Sequence, residues 1–250
     1  MPTPYGWRGR IGVILTTQNT VVEPEFYLMA PEGISIHAVH TASRDENGRM
    51  SLTGRGFEDA VRCLTATWPG MKQGVGTRPG VIALACTAAS FGGGVEYEKE
   101  LRRRMERASG GVPAITTIGA VVQALRAVGA KRIVLATPYG EQTNRREKAF
   151  LEAFDFEVVK MAGLGEPYMD EVPPERIYRF VRGIWDSSCD ALFVSCTNFP
   201  VVPIISVLEE DLGVPVVTSN QATFWSALKV LRCGAHVGGF GKLFSMASPP

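Results

Sequence analysis

Two cysteines stand in matching sequence contexts, and together they could act on one small ligand. Cys86 and Thr87 close one apolar strand-like run, and Cys196 and Thr197 close a second. A thiol reacts as its thiolate, and backbone N–H groups at the start of a helix lower the pKa of a thiol placed against them. Helix-like stretches follow both cysteines. The context therefore predicts two reactive thiols of lowered pKa.

The likeness between the two cysteine segments continues along the chain. Gly-Val-Pro followed by threonine recurs at residues 111–117 and 213–219, and a basic residue before an apolar run ending in threonine recurs at residues 10–16 and 132–137. Ordered matches of this kind indicate an internal duplication, although independent strand and helix punctuation would produce similar segments. Two related halves would present one thiol each to a shared cleft, which suits chemistry at a single carbon atom.

Hydroxyl and amide side chains surround the predicted thiols. Such groups can hold a carboxylate and stabilise the enediolate that forms when its α-carbon loses a proton. The candidate substrate-binding residues are Thr17, Asn19, Thr87, Tyr139, Asn144, Thr197 and Asn198. Any one of them alone could equally be a helix cap or a turn residue. The candidate catalytic residues are Cys86 and Cys196.

The other three cysteines have a different context. Cys63, Cys189 and Cys233 lie inside helical patterns or at their ends, without notable polar neighbours. Free cysteine is among the most buried residue types. We therefore expect these three side chains to pack in the core.

The elements that position the thiols follow from periodicity and turn residues. Eight strand-like runs lie near residues 11–16, 34–40, 80–86, 112–116, 132–137, 156–161, 190–196 and 214–218. Helical patterns between them cover residues 95–108, 120–128, 141–154, 174–187 and 223–231. This alternation predicts an α/β fold of parallel sheets flanked by helices.

The duplication decides between two ways of arranging eight strands. A closed barrel is one arrangement, but two pseudo-symmetric domains, each a roughly four-stranded parallel sheet, agree better with the repeat. The first domain would comprise residues 1–117 plus 222–250, and the second residues 118–221. Because open parallel sheets bind ligands beyond the carboxyl ends of their strands, we expect the active site in the cleft between the domains.

Composition narrows the class of partner. Lys and Arg number 26 against 25 Asp and Glu, so no charge excess points to nucleic acid or an anionic membrane. No apolar run reaches the roughly 20 residues that span a bilayer, and the first residues lack the core of a signal peptide. The prediction is a cytoplasmic protein with a small-molecule partner, for which homo-oligomerisation is left open.

Neither disulfides nor metal sites are expected. The five cysteines are odd in number and contain no Cys-x-x-Cys pair, and the three histidines supply no metal-binding cluster. Both observations argue against a disulfide framework and against zinc.

The motifs resemble those of a known family. Residues 5–14 and 18–26 resemble the opening of the maleate cis-trans isomerase and arylmalonate decarboxylase group, which belongs to the aspartate/glutamate racemase superfamily. Residues 85–87 and 195–198 resemble its two cysteine motifs, and residues 213–225 its closing segment. The likeness spans nearly the whole chain.

This resemblance implies a cofactor-independent enzyme with its site between two pseudo-symmetric α/β domains. In maleate isomerases the cysteine matching Cys86 adds to the substrate double bond, the carbon–carbon bond rotates, and the adduct collapses to fumarate. Cys196 would be the partner acid or base. In racemases of the same fold the two cysteines remove and return an α-proton. Arylmalonate decarboxylases keep only the second cysteine, so Cys86 argues against that activity.

The chain departs from the isomerase pattern at one place. Maleate isomerases have a further substrate-holding asparagine before the second cysteine, whereas residues 157–185 contain no asparagine and Asn144 lies earlier. The predicted function is isomerisation of a small dicarboxylate, most like maleate to fumarate. A two-base amino-acid or hydantoin racemase is the first alternative. A decarboxylase-like enzyme and a non-catalytic carboxylate-binding protein follow.

Overall fold

The computed structural model describes residues 4–42, 55–65 and 76–245, and within them the chain alternates between strands and helices. The strands are β1 Gly9–Thr16, β2 Ile34–Thr41, β3 Val81–Leu84, β4 Ala114–Thr116, β5 Arg132–Thr137, β6 Glu157–Gly163, β7 Ala191–Val194 and β8 Val216–Thr218. The helices are α1 Val22–Met29, α2 Arg55–Thr65, α3 Thr87–Phe91, α4 Gly94–Ala108, α5 Thr117–Ala127, α6 Glu141–Glu152, α7 Pro174–Ile184, α8 Ile205–Leu212, α9 Ser219–Val230 and α10 Lys242–Ser245.

Two parallel sheets carry the repeat. The first has the strand order β2-β1-β3-β4 and the second the order β6-β5-β7-β8, so each strand of one sheet has a counterpart in the other. All pairings are parallel. The predicted α/β fold with two four-stranded parallel sheets is confirmed. The division of the chain into domains at residues 117 and 221 stays a prediction.

The strands that lead to the cysteines are buried along their whole length. β3 and β7 are four-residue apolar strands in which every residue is buried. Continuous apolar runs of this kind are typical of parallel strands covered by helices on both faces. The burial explains why these two short segments were visible in the sequence as uninterrupted apolar runs.

The two halves meet through a pair of equivalent helices. α5 follows β4 and α9 follows β8, and the two helices pack against each other. In α9 every residue from Ser219 to Leu228 is buried. A helix buried on all sides is a core helix, and one hydrophobic core accordingly extends through residues of both sheets.

Helix caps explain the threonines that recur in the Gly-Val-Pro segments at residues 111–117 and 213–219. Thr116 and Thr218 end β4 and β8, and their side chains accept hydrogen bonds from the backbone N–H groups of Gly119 and Gln221. Gln221 completes a capping box by accepting from the Thr218 N–H at 3.1 Å. These caps satisfy otherwise unpaired N–H groups, so the recurrent threonines have a structural role.

The five helices predicted with bounds are confirmed with shifted ends. Because Thr218 is its N-cap residue, α9 begins at Ser219, four residues before the predicted start. Five further helices had no predicted bounds, namely α1, α2, α3, α8 and α10, and four of them have eight residues or fewer. Short helices offer too few turns for a periodic pattern to stand out.

The prediction that Cys63, Cys189 and Cys233 pack in the core is right for only one of them. Cys189 is buried, Cys233 is half-buried and Cys63 is exposed. α2 buries Phe57, Val61 and Leu64 along one face, and Cys63 lies off that face. Within the described part of the chain, none of the helices combines the length and apolarity that a bilayer-spanning segment needs.

We expect Thr218→Ala to destabilise the protein by about 1 kcal/mol, because it removes the side-chain cap at the start of a buried helix. Urea unfolding monitored by circular dichroism measures the change. Thr218→Ser keeps a hydroxyl and is the matched control, for which a smaller loss is expected. An equal loss in both variants would show that the cap contributes nothing.

Candidate active site

The carboxyl ends of both sheets border one cavity of about 490 Å³. Its lining comes from the segments that follow five strands. The lining residues are Thr16 at the end of β1, Gln18 and Asn19 after β1, Cys86, Thr87 and Ala88 after β3, Tyr139 after β5, Pro167–Glu171 after β6, and Cys196, Thr197 and Asn198 after β7. Parallel sheets bind ligands at this edge, and both candidate thiols border the same space from different sheets.

Cys86 precedes α3 as its N-cap residue. Its sulfur accepts a hydrogen bond from the backbone N–H of Ala89, and its carbonyl oxygen accepts from the N–H of Ser90 at 3.1 Å. The side chain is 7% exposed. The first turn of the helix therefore holds this thiol at the cavity wall with little contact to water.

Cys196 has an unusual backbone. Its φ of 96° lies in the left-handed region, which is uncommon for a residue with a side chain and costs roughly 1–3 kcal/mol. The Cys196 N–H donates to Ser219 Oγ at 3.0 Å. The Asn198 N–H donates to the Cys196 sulfur at 3.3 Å, and the Tyr139 hydroxyl donates a hydrogen bond to the same sulfur. These contacts hold the thiol in a strained conformation at the cavity wall.

The expectation that both thiols have a lowered pKa is wrong for this structure. Burial raises the pKa of Cys86 to about 11 and that of Cys196 to about 12. Hydrogen bonds from Ala89 to Cys86, and from Tyr139 and Asn198 to Cys196, oppose this effect without cancelling it. Desolvation disfavours the charged form of any group. Both thiols therefore carry their protons at neutral pH.

Two hydroxyl groups tie the cysteine segments of the two halves together. Ser219 Oγ accepts from Thr87 Oγ1 at 2.9 Å as well as from the Cys196 N–H. Thr197 Oγ1 donates to the carbonyl oxygen of Ala85 at 3.2 Å. Each hydroxyl group joins the segment that carries Cys86 to the segment that carries Cys196. These bonds fix the position of one thiol relative to the other.

The loop after β1 is hydrogen-bonded to the segment after β7. Asn198 Oδ1 accepts from the Thr20 N–H at 3.0 Å, and Asn198 Nδ2 donates to the Gln18 carbonyl oxygen at 3.4 Å. Asn19 Oδ1 accepts from the N–H groups of Val21 and Val22, while its Nδ2 donates to Thr197 Oγ1 at 3.4 Å. Both asparagines therefore shape the cavity as well as line it.

Thr17 and Asn144, predicted as substrate contacts, do not lie in the lining. Thr17 is exposed, and its N–H donates to the Thr41 carbonyl oxygen at 3.2 Å. Asn144 is buried in the first turn of α6, where it accepts from Thr137 Oγ1 at 2.6 Å and donates to the Tyr139 carbonyl oxygen at 3.3 Å. Its amide is used to hold Tyr139, so Asn144 is a positioning residue.

Gly163 permits this arrangement. A Cβ atom at Gly163 would lie 2.0 Å from the Tyr139 carbonyl oxygen and 2.4 Å from Asn144 Nδ2. Only glycine allows the backbone of β6 to approach so closely. The other predicted site residues, Asn19, Thr87, Tyr139, Thr197 and Asn198, all line the cavity.

The sequence analysis missed the segment after β6. Met169 Sδ lies 3.5 Å from the Cys196 sulfur, and Asp170 Oδ2 accepts from Thr20 Oγ1 at 2.9 Å. The segment therefore covers Cys196 and bridges to the first half. Its position directly after a predicted strand was the one available signal, since it contains neither a motif nor a periodic pattern.

Two buried carboxyl groups were also missed. Glu25 in α1 accepts from the Val202 N–H at 2.9 Å and from Asn220 Nδ2 at 2.6 Å, and Glu147 in α6 accepts from Ser195 Oγ at 2.5 Å. Burial raises the pKa of Glu25 to about 7 and that of Glu147 to about 8. Glutamates inside helices usually face solvent, so nothing in the sequence distinguished them. Within the described ranges, no group of three His, Cys, Asp or Glu is arranged to hold a metal ion.

Comparison with known proteins adds to this geometry. The profile of the arylmalonate decarboxylase family matches residues 18–244. The maleate isomerase of Geobacillus stearothermophilus is 27% identical over 256 residues, which cover 94% of this chain and 97% of the relative. The arylmalonate decarboxylase of Bordetella bronchiseptica is 28% identical over 237 residues, which cover 91% of this chain and 96% of the relative.

A solved structure is similar over nearly the same span. A mutant of the Nocardia farcinica maleate cis-trans isomerase with a covalently bound succinylcysteine intermediate has a TM-score of 0.83 at 25% identity. The similarity covers 94% of this chain and 98% of that one.

The buried glutamates predict how stability depends on pH. Because burial raises the pKa of Glu25 and Glu147 from 4.5 to about 7 and about 8, the folded state binds more protons than the unfolded chain between these values. The contribution of each group to the free energy of unfolding is therefore full below about pH 4.5 and is lost as pH rises through the folded-state pKa.

We expect Glu147→Gln to remove part of this dependence, since glutamine does not titrate. Urea unfolding at several values between about pH 5 and about pH 8 should show the variant gaining stability relative to the wild type as pH rises. Glu141→Gln, on the exposed face of the same helix, is the control and should leave the slope unchanged. Parallel curves for Glu147→Gln and the wild type would contradict the assignment.

Proposed function

The chain belongs to the arylmalonate decarboxylase family, and from this premise we propose that it is a cofactor-independent, cysteine-dependent isomerase of a small dicarboxylate, most like maleate to fumarate. The observation that carries the proposal is that Cys86 and Cys196, delivered by different sheets, border the same cavity. The relatives named as maleate isomerases support it, as does the covalent succinylcysteine intermediate of the Nocardia enzyme.

The proposed reaction uses the two thiols in different roles. Cys86 first loses its proton to solvent; its thiolate then adds to one alkene carbon, and the Cys196 thiol gives its proton to the other. The product is a succinyl thioether on Cys86 and a thiolate on Cys196. Rotation about the new single bond brings the carboxylates to opposite sides. Cys196 then takes back a proton from carbon, the carbon–sulfur bond breaks, and the trans alkene leaves.

The raised thiol pKa values bear on the first step. A thiol with a pKa of about 11 is mostly protonated at neutral pH, so only a small fraction of Cys86 is nucleophilic at any moment. The hydrogen bond from the Ala89 N–H favours the thiolate of Cys86, and those from Tyr139 and Asn198 favour that of Cys196. Hydrogen bonds to the charged form stabilise it in a site from which water is excluded.

Polar side chains of the lining are the proposed contacts of the substrate carboxylates. Asn19, Thr87, Tyr139, Thr197 and Asn198 border the cavity together with the thiols. Hydrogen-bond donors can stabilise the charge that builds up on a carboxylate when the carbon beside it becomes a carbanion. The hydroxyl protons of Thr87 and Thr197, which point to Ser219 Oγ and the Ala85 carbonyl oxygen in the unliganded site, have to turn toward the substrate for this. We assign these five residues to binding and the two cysteines to catalysis.

A two-base racemase is the second candidate, and one observation favours it. The thiols belong to equivalent strands of two related sheets, so they could remove an α-proton from one face of a chiral acid and return it on the other. Decarboxylation of an arylmalonate is disfavoured, because the resemblance implies a single cysteine for that reaction.

The proposal also covers the cellular location and the binding partner. We propose a small carboxylate as the partner and the cytoplasm as the location, where thiols such as the five free cysteines stay reduced. Homo-oligomerisation stays a prediction.

We expect Cys86→Ala and Cys196→Ala each to lower the rate of maleate isomerisation by at least about a hundredfold, since each removes a group that handles a bond or a proton in the reaction. Proton NMR of fumarate formation measures the rate. Cys63→Ala changes an exposed cysteine outside the cavity lining and should keep full activity. Full activity in either of the other variants would refute the assigned roles.

Running the same NMR assay in deuterated water with several acids separates the candidates. Fumarate from maleate supports the isomerase. Deuterium at the α-carbon of aspartate, glutamate or a hydantoin, without fumarate, would replace it by the racemase. Loss of a carboxyl group from a substituted malonate would replace both by the decarboxylase.

A further inference from the structure

One buried acid lies behind the catalytic candidates of the second half without facing the cavity. Glu147 is 0% exposed, as is Ser195, whose Oγ donates to Glu147 Oε1 at 2.5 Å. Ser195 directly precedes Cys196 in the chain. Tyr139 lies close by as well, since the charge of Glu147 acts on both Tyr139 and Cys196. The carboxyl group is therefore coupled to two residues of the cavity wall.

The surroundings of Glu147 suit a neutral carboxylic acid. Its second oxygen, Oε2, is buried and has no hydrogen-bond partner among the described residues. A buried carboxylate that carries a full charge needs a cation or several donors, yet the Ser195 hydroxyl is the one group in the described ranges that favours the charged form. Burial raises the pKa of this carboxyl group to about 8.

The titratable groups on neighbouring elements do not compensate its charge. α3 contains no titratable side chain. On α4, Glu98 accepts from Thr116 Oγ1, and the basic residues Lys99, Arg103, Arg104 and Arg107 pair with Glu96, Glu100 and Glu58. On β6, Glu157 pairs with Arg132, and the charge of Lys160 acts on Asp186. On α6 itself, Lys148 donates to the Val158 carbonyl oxygen.

Two titratable residues of the cavity wall respond to the charge of Glu147, namely Tyr139 and Cys196. An ionised Glu147 raises the pKa of both. Its charge thus opposes the formation of any thiolate at Cys196, which is the form that Cys196 takes in the middle of the proposed reaction.

We propose that Glu147 is a positioning residue that has to keep its proton during turnover. In its neutral form it anchors Ser195 beside the left-handed backbone of Cys196. In its ionised form it places a second negative charge behind the thiolate that Cys196 forms. This inference rests on the role of Cys196 in the proposed function, but the charge state of Glu147 can be measured without any substrate.

Glu147→Gln mimics the neutral acid and tests the coupling. The rate of alkylation of Cys196 by iodoacetamide, followed as a function of pH by mass spectrometry of the Cys196 peptide, reports its thiolate. We expect the midpoint of the wild-type profile to lie about one pH unit above that of the variant, because two like charges within several ångströms interact by about this amount. At about pH 9 the variant should react about tenfold faster.

Glu209→Gln is the matched control. Glu209 is another buried glutamate of the second half with a raised pKa, but it accepts from the N–H groups of Val216 and Lys242. Its replacement should leave the Cys196 profile unchanged. An unchanged profile in Glu147→Gln, or an equal change in both variants, would overturn the proposal.

Infrared spectroscopy of the unliganded protein gives a second readout. The wild type should show a carbonyl band of protonated carboxylic acids with one component lost near pH 7, from Glu25, and one lost near pH 8, from Glu147. Glu147→Gln should lack only the component lost near pH 8. Absence of that component in the wild type would overturn the proposal even if the variant failed to fold. If that component is present but no acid is isomerised, the proposed function fails and the charge state of Glu147 stands.

Discussion

Burial at the junction of the two sheets sets the protonation of the deeply buried ionisable groups there. Burial is the largest cause of the raised pKa of Cys86, Cys196, Tyr139 and Glu147. The same desolvation that keeps these groups neutral strengthens each hydrogen bond and each charge interaction among them. These four groups are therefore protonated at rest. A charge that forms on one of them during a reaction interacts strongly with the others.

A junction of this kind needs the two halves to keep a fixed relation, and hydroxyl groups provide it. Ser219 Oγ receives hydrogen bonds from Thr87 and from the backbone of Cys196, and Thr197 donates to Ala85. The Thr87–Ser219 and Thr197–Ala85 bonds each join a segment after the first sheet to a segment after the second, and the Cys196–Ser219 bond links two segments of the second sheet. α5 and α9 pack together behind these contacts. The segments that carry the two thiols are thus tied together, and residues 167–171 line the same cavity and contact Cys196 through Met169.

The fold could be predicted in detail because its determinants are local. Apolar runs, threonine caps and Gly-Val-Pro turns are read within a few residues, and their recurrence at matching positions revealed two sheets before any contact was known. Helices such as α10 escaped prediction because four residues form about one turn. Cys63 was placed in the core wrongly because its helical face is set by packing against β1 and β2, which the sequence does not state.

The sequence by itself determined which residues could reach the cavity: Cys86, Cys196 and the polar residues beside them follow strands, and parallel strands bring their carboxyl ends to one edge. Tertiary structure alone decided how these groups behave. It turned Asn144 away from the cavity, where its amide holds Tyr139. It also placed Met169 against Cys196 and buried Glu147 behind Tyr139 and Cys196. It also raised the thiol pKa values that the sequence context predicted to be low. The reason is that burial depends on every segment that packs around a group, whereas a motif describes only its neighbours along the chain.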